Sequence, residues 1–535
     1  MTKDLSVSQQ TPSSEAAGLV RAASLIAAGN VASRILGLVR ETVIAQLFGA
    51  TGPVSAFRVA QTIPTMLYDL LVGGMVSSAL VPVFSEQAER DRTALWQLAS
   101  LILSLTVLVL SAIVLIIELA APQVAVLIAG GFDAELLAIT THLLRLTTPA
   151  VFFLSLSGIV TGLLYALKRF TLPAFTAATF NAAIVIVAVV GVNIFGWGIE
   201  ALAYGLLLGA VAQVALQLPG LRDARLRFVI DLHHPALRKI GQLCWPILFG
   251  LVVSQVAIAL DRNLASRTGA QSIAWMQYAT TIIQFPLGLI SAAISLAILP
   301  TLSRLAVAAV ETPARLADFM DMLATGLRLV LMLIIPATVA LFILAEPIVT
   351  LLFQHGEFTP FDTGQTALAL RLYLLGLTFA AIDQPLIFAY YARQNTLTPA
   401  LVGLLGVGFY LVAALLPAFF RPLQMTDLVI ANSVQLTGHA LVMLWLVNRL
   451  ATLRGRELGA TVLKAIAGAG AMGLGLWVAR PLVEQWLPPI NFITQAIGLS
   501  GLIAFGGGIY LLAAILLKMP DLALLVRLLR RFLPG

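Results

Sequence analysis

Apolar runs of about twenty residues, separated by short loops that collect arginine and lysine, constrain this chain more than any other feature. A run of that length matches the hydrocarbon thickness of a bilayer when it is helical. Hydrophobic residues make up 60% of the 535 and charged residues 11%. An ordinary soluble domain is about 45–50% apolar and about 25% charged. The chain therefore reads as an all-α polytopic membrane protein. A soluble enzyme, a disordered chain and a disulfide scaffold are excluded. The single cysteine, Cys244, sits in an apolar run and reads as a small buried hydrophobe.

Apolar runs set against turn and charge signals give about fourteen helices. They cover 19–48, 55–85, 94–120, 136–166, 171–195, 199–220, 236–265, 270–303, 314–345, 364–391, 397–420, 425–448, 459–480 and 493–517. The first, second and eighth are the least apolar, and are long enough to bend at Pro64 or around Gly73 and Gly74. Residues 1–18 are polar and lack the apolar core of a signal peptide, so the first helix is expected to direct insertion.

Loops after even-numbered helices hold Arg90 and Arg92, Lys168 and Arg169, Arg222, Arg225 and Arg227, then Arg304, Arg393 and Arg449. Loops after odd-numbered helices hold little beyond Arg267, Arg421 and Arg480. The positive-inside rule then puts both termini in the cytoplasm. The net charge of +7 thus encodes orientation and does not point to nucleic acid.

The chain also repeats itself. Gly52 through Val81-Pro82 resembles Gly269 through Leu299-Pro300, and Tyr165 through Pro173-Ala174 resembles Tyr391 through Pro399-Ala400. Both offsets are a little over two hundred residues. Two six-helix lobes follow, 19–220 and 236–448, related by a pseudo-two-fold axis along the membrane normal. A polar tail 1–18 precedes them, a basic cytoplasmic linker 221–235 joins them, and a helix pair 449–517 and a basic tail 518–535 follow. Such a pair of bundles is expected to enclose a cavity and rock about it.

A charge at the bilayer centre costs at least about 2.5–3.5 kcal/mol on insertion scales, so each needs a reason. The first helix carries Arg34, Arg40 and Glu41 in Ser33-Arg-Ile-Leu-Gly-Leu-Val-Arg-Glu41. On the second, Arg58, Thr62, Thr65 and Asp69 share one face. The seventh holds Asp261 and Arg262, and the eighth an uncharged stripe with Gln277, Thr281 and Gln284. Polar stripes on apolar helices are expected to face an aqueous cavity and form the substrate-binding set. Arg58 and Arg262, near helix ends, also admit snorkelling to headgroups. Arg145, Arg328 and Arg371 read as interfacial or structural; His142, His355 and His439 show no partner pattern. There is no nucleotide-binding loop, metal cluster or nucleophile pattern, and no repeated filter or charge ring. The expectation is a transporter without cofactors, driven by membrane potential or an ion gradient.

Ser33 through Glu41, with Leu47-Phe-Gly-Ala50, resembles the opening of the MurJ (MviN) lipid II flippases of bacterial cell-wall synthesis. Ala79-Leu-Val-Pro-Val-Phe84, Leu164 to Pro173, Asp261-Arg-Asn-Leu-Ala-Ser266, Ile298-Leu-Pro-Thr-Leu302, Leu352-Phe-Gln-His-Gly-Glu-Phe-Thr359 and Tyr391-Ala-Arg-Gln394 extend the likeness across nearly the whole chain. The resemblance implies fourteen helices within the multidrug/oligosaccharidyl-lipid/polysaccharide exporter superfamily, and a bacterial inner-membrane location. It implies a lipid-linked pyrophosphate glycan as substrate, membrane lipids around it, and cell-wall synthesis proteins as partners. It makes Arg34 and Arg40 functional arginines. The pattern departs from the family at three points. Tyr68-Asp69 stands where an arginine is usual, Ala279-Thr280-Thr281 replaces Ala-Asp-Arg, and Ser55 replaces an aspartate. Helix eleven has no Asn, Asp or Gln, unlike relatives described with a sodium site. Two further readings follow from these departures: a flippase for another polyprenyl-linked saccharide or amphiphile, and a non-transporting scaffold paralogue in cell-envelope assembly.

Overall fold

The computed structural model describes residues 12–70, 80–231, 233–311, 315–450, 452–453, 457–519 and 521–522. Nearly all are helical, with no strand among the described residues. Eleven helices among them are long and apolar enough to cross a membrane. Eleven of the fourteen expected segments coincide with these; the first, the second and the seventh fall outside them, and are helical where described. The first and second are interrupted by the charges discussed below. The tail 1–11, the expected bend at Gly73 and Gly74, most of the C-terminal tail, and the side chain of Cys244 lie outside the described residues, as do two further arginines of the loop after Arg449, Arg454 and Arg456.

The chain divides into two compact units: residues 1–47 with 52–263, and residues 48–51 with 264–535. The first unit contains α1 (Pro12–Phe48), α2 (Gly52–Tyr68), α3 (Val81–Arg90), α4 (Arg92–Leu119), α5 (Ala121–Ala129), α6 (Ala134–Thr147), α7 (Ala150–Ala166), α8 (Thr171–Ala174), α9 (Thr176–Asn193), α10 (Glu200–Gln217) and α11 (Pro235–Ser266). Local chemistry starts several of them. The Asp91 carboxylate accepts the Thr93 and Ala94 amides at α4, and Asp133 accepts the Leu136 amide at α6. Close helix approach is made by small residues: Cβ atoms built on Gly205 and Gly209 of α10 would stand 3.1 Å from Ile184 Cα and 2.9 Å from the Phe180 ring of α9.

The repeat placed α11 at the head of the second lobe, whereas its residues up to Asn263 fall in the first unit. Ile240 joins the cluster of Leu80, Leu95, Leu98 and Leu163, and Asn263 Nδ2 donates to the Leu127 carbonyl at 2.8 Å. A helix that follows the linker can match one lobe by repeat and pack with the other.

Asp223 ties three basic loops together. Its carboxylate accepts both terminal nitrogens of Arg169, at 2.7 and 3.0 Å, and meets Arg92 at 3.3 Å. The Arg169 bond holds the Asp223 carboxyl below the usual carboxylate range, against a smaller opposing effect of burial. The loops after the second, fourth and sixth expected helices therefore lie on one side of the first unit, as the charge alternation requires.

The second unit contains α12 (Ser272–Pro286), α13 (Ala293–Glu311), α14 (Leu316–Ile343), α15 (Ala345–Phe353), α16 (Pro360–Ala392), α17 (Leu397–Leu415), α18 (Met425–Leu450), α19 (Leu458–Trp486) and α20 (Phe492–Leu516). A π-helical turn, 287–292, follows Pro286 and joins α12 to α13. Thr359 and Asp362 form a reciprocal cap at α16, and Asp362 also accepts the Trp275 indole N–H at 2.8 Å. Gly49 has φ +64°, a region that favours glycine, and a Cβ there would stand 2.5 Å from the Glu357 carbonyl oxygen. Its own carbonyl accepts the Tyr278 hydroxyl at 2.9 Å, and that ring packs on Phe353 and Phe358. Gly49 therefore sits against the segment 353–358. Exposed apolar side chains such as Leu115, Leu119, Val412, Leu463 and Trp477 suit helices whose outer surface faces lipid.

Candidate functional site in the first unit

The charges of α1 and α2 converge on one point. Glu41 is 1% exposed. Its Oε1 accepts Arg40 Nη2 at 2.7 Å and Nε at 3.2 Å, and its Oε2 accepts Arg58 Nη2. Arg58 is buried on α2, also reaches Gln61 Oε1 at 3.5 Å, and lies beside the Phe57 ring. It does not snorkel. Two cations and one anion leave the group with one net positive charge.

A third helix completes the arrangement. Arg40 Nη1 donates to Asn181 Oδ1 at 2.9 Å, and Asn181 Nδ2 donates to the Ser33 carbonyl at 3.2 Å. Asn181 sits on α9, 8% exposed. Gly29, Ser33 and Gly37 recur every four residues on α1, and this face turns to α9 and the short α8. A Cβ on Gly29 would stand 2.0 Å from the Ala174 carbonyl oxygen, and one on Gly37 3.7 Å from Asn181 Nδ2. Small residues thus bring α1 close enough for Asn181 to hold the Arg40 fork. Guanidinium has five N–H donors. Three of those on Arg40 are engaged among the described residues, and its side chain is 17% exposed.

The remaining predicted residues behave differently. Arg34 is half-buried on α1 and engaged in an interaction. Thr62 and Thr65 donate back to the Arg58 and Gln61 carbonyls, so their hydroxyl protons are spent within α2. Asp69, partly exposed in a π-helical turn, is not drawn to Arg58. Asp261 and Arg262 are half-buried near the end of α11, each with an interaction. On α12, the Thr281 hydroxyl donates to the Gln277 carbonyl at 2.9 Å, leaving Gln284 exposed. The structure thus brings together Arg40, Glu41 and Arg58 from the predicted set and adds Asn181. Sequence reasoning missed Asn181, although an amide inside the apolar run 176–193 was a usable signal.

A bundle of apolar helices around a buried, cationic, hydrogen-bonded group is the architecture of a multi-pass membrane protein, and one that suits a transporter of an anionic solute. The family model for the lipid II flippase MurJ matches residues 44–496, and the chain belongs to that family. It is 31% identical to the lipid II flippase MurJ of Burkholderia cenocepacia over 76% of this chain and 79% of that protein. It is also 31% identical to the probable lipid II flippase MurJ of Vibrio cholerae, over 94% of this chain and 97% of that one. A solved structure of a lipid II flippase MurJ in an inward closed conformation shares the fold. Its TM-score is 0.77 at 24% identity, over 92% of this chain and 99% of that chain. A multidrug resistance MATE family transporter of the MOP superfamily, facing inward, has a TM-score of 0.65 at 15% identity, over 80% of this chain and 95% of its own. Membership makes the chain a transporter and not a catalyst of a chemical reaction.

Proposed function

We propose that this chain moves lipid II, a lipid-linked peptidoglycan precursor, from the inner to the outer leaflet by alternating access. The observation that carries the reading is the surplus positive charge of the Arg40–Glu41–Arg58 group inside a chain of this family. Lipid II carries a pyrophosphate between its sugars and its polyprenyl tail. That charge cannot cross hydrocarbon bare. Guanidinium suits it through forked, charge-assisted bonds. Complementation tests the reading: expressed in a strain depleted of its own lipid II flippase, this chain should restore growth and cell shape. Lysis on depletion, with the protein present in the membrane, would overturn the substrate.

The location that fits is the bacterial inner membrane, with both termini cytoplasmic. The shared side of Arg92, Arg169 and Asp223 supports the alternation, and the positive charge of the two arginines supports the cytoplasmic choice. A cysteine placed at Ile230, with Cys244 replaced by alanine, should react with an impermeant maleimide only after the inner membrane is opened. Labelling in intact spheroplasts would reverse the orientation. The drive is membrane potential or an ion gradient, and cell-wall synthesis proteins are natural neighbours.

A further inference from the structure

One buried titratable pair stands apart from the cationic group. His439 of α18 and Asp383 of α16 lie in two of the apolar spans, with Nδ1 2.8 Å from Oδ2 and side chains 13% and 14% exposed. The helices are held close from nearby. A Cβ on Gly376 would stand 2.8 Å from Ser433 Cα, and Ser433 Oγ donates to the Leu372 carbonyl at 2.7 Å. Two turns beyond Gly376 comes Asp383, and six residues beyond Ser433 comes His439. On the third helix, α17, Gly406 leaves room for the imidazole, whose Cδ2 would stand 3.6 Å from a Cβ there. The approach is at ion-pair distance but off the ring N–H line, so Nδ1 has no aligned hydrogen bond. Asp383 Oδ1 and the adjacent Gln384 Oε1 are buried without a hydrogen-bond partner among the described residues.

We propose that Asp383 and His439 form a proton-exchange site, so that the gradient on which transport draws is a proton gradient. With neutral imidazole the pair carries one negative charge in a low-dielectric setting. One proton from water, landing on the imidazole, brings it to zero; losing that proton restores the charge. An aspartate–histidine couple inside a membrane span is a recognised form of proton relay, and imidazole is the side chain whose charge changes most readily near neutral pH. The two states differ by a full charge between α16 and α18, which is enough to bias a packing equilibrium.

The other charged groups nearby are accounted for. On α16, Asp362 is held by Thr359 and Trp275, Arg371 by the Phe342 carbonyl, and Tyr391 lies near Asp383. On α18, Asp427 pairs with Arg421, and Arg449 lies over Trp445. Of the helices packed against these two, α12 offers Tyr278, α13 Arg304, and α17 Tyr410. On α14, Asp318 and Asp321 lie near the helix start and Arg328 pairs with Asp521; Glu346 of α15 pairs with Arg480. His439 is the one histidine on these helices.

The test uses the purified full chain in lipid nanodiscs and vesicles. Infrared difference spectra between pH 8 and pH 5 should show a protonation signal from this pair that Asp383→Asn and His439→Gln each remove or displace. A protonation signal unchanged from wild type in both variants would overturn the site. In vesicles loaded with lipid II, an imposed pH difference should change the wild-type rate several-fold. Either variant should lose that response while keeping its rate at equal pH. A response retained by both variants, or a rate driven by a sodium difference and indifferent to pH, would also overturn the coupling role. This kinetic arm rests on the lipid II reading. If wild type moves no lipid II, that reading fails, and the spectra still decide the proton site.

Discussion

Replacing Glu41 with glutamine should destabilise the first unit by about 3–5 kcal/mol, the cost of breaking a buried ion pair from one side. The side chain keeps its shape but loses the charge between Arg40 and Arg58. Those guanidiniums then face each other as two cations with no anion. Arg40, 17% exposed, can turn toward water; Arg58, 4% exposed, cannot. In a thermal melt in detergent, the variant should unfold roughly 6 °C or more below wild type, at about 2–4 °C per kcal/mol for a unit of this size. Adding Arg58→Gln should return much of the loss, because the group is back to one net positive charge. A single variant melting with wild type would mean that water reaches Glu41 and that the burial argument fails.

The amount of this site that was legible in the sequence follows from how far its parts lie apart in the chain. Arg40 and Glu41 are neighbours, and the Arg58–Asp69 stripe has a helical spacing, so both announced themselves as polar interruptions of apolar helices. The partner of Arg58 was not local: Glu41 lies on another helix, so the sequence left Arg58 open to snorkelling. Asn181 is 141 residues from Arg40, and nothing in either segment refers to the other. His439 and Asp383 were missed for the same reason, since pairing across parallel helices leaves no periodic trace within either one. Of the three arginines read as interfacial or structural, Arg328 pairs with Asp521 at 2.9 Å and Arg371 Nε donates to the Phe342 carbonyl at 3.3 Å. Helix positions were the most legible feature, because hydrocarbon thickness imposes a length on every span.

Arg40→Ala should do the opposite of Glu41→Gln: spare the fold and stop transport. The charge count gives the reason. Removing Glu41 leaves two unpaired cations, whereas removing Arg40 leaves Glu41 and Arg58 as a neutral pair that keeps its own bond. The lost Asn181 bond should cost no more than about 1–1.5 kcal/mol, the net worth of an ordinary hydrogen bond. What disappears is the surplus positive charge and the two N–H donors left on Arg40. If those donors meet the pyrophosphate, losing one or two charge-assisted bonds of about 1.5–3 kcal/mol each should slow flipping roughly ten- to a hundredfold or more. Arg40→Lys restores the charge but not the fork, and cannot hold Glu41, Asn181 and a phosphate at once, so it should recover only a small part of the rate. The check is a paired measurement on each variant, melting temperature and lipid II flipping in vesicles. Arg40→Ala flipping at the wild-type rate would reduce Arg40 to a structural clamp between α1 and α9. Loss of both stability and rate in equal measure would show that the clamp, and not the phosphate contact, is what transport requires.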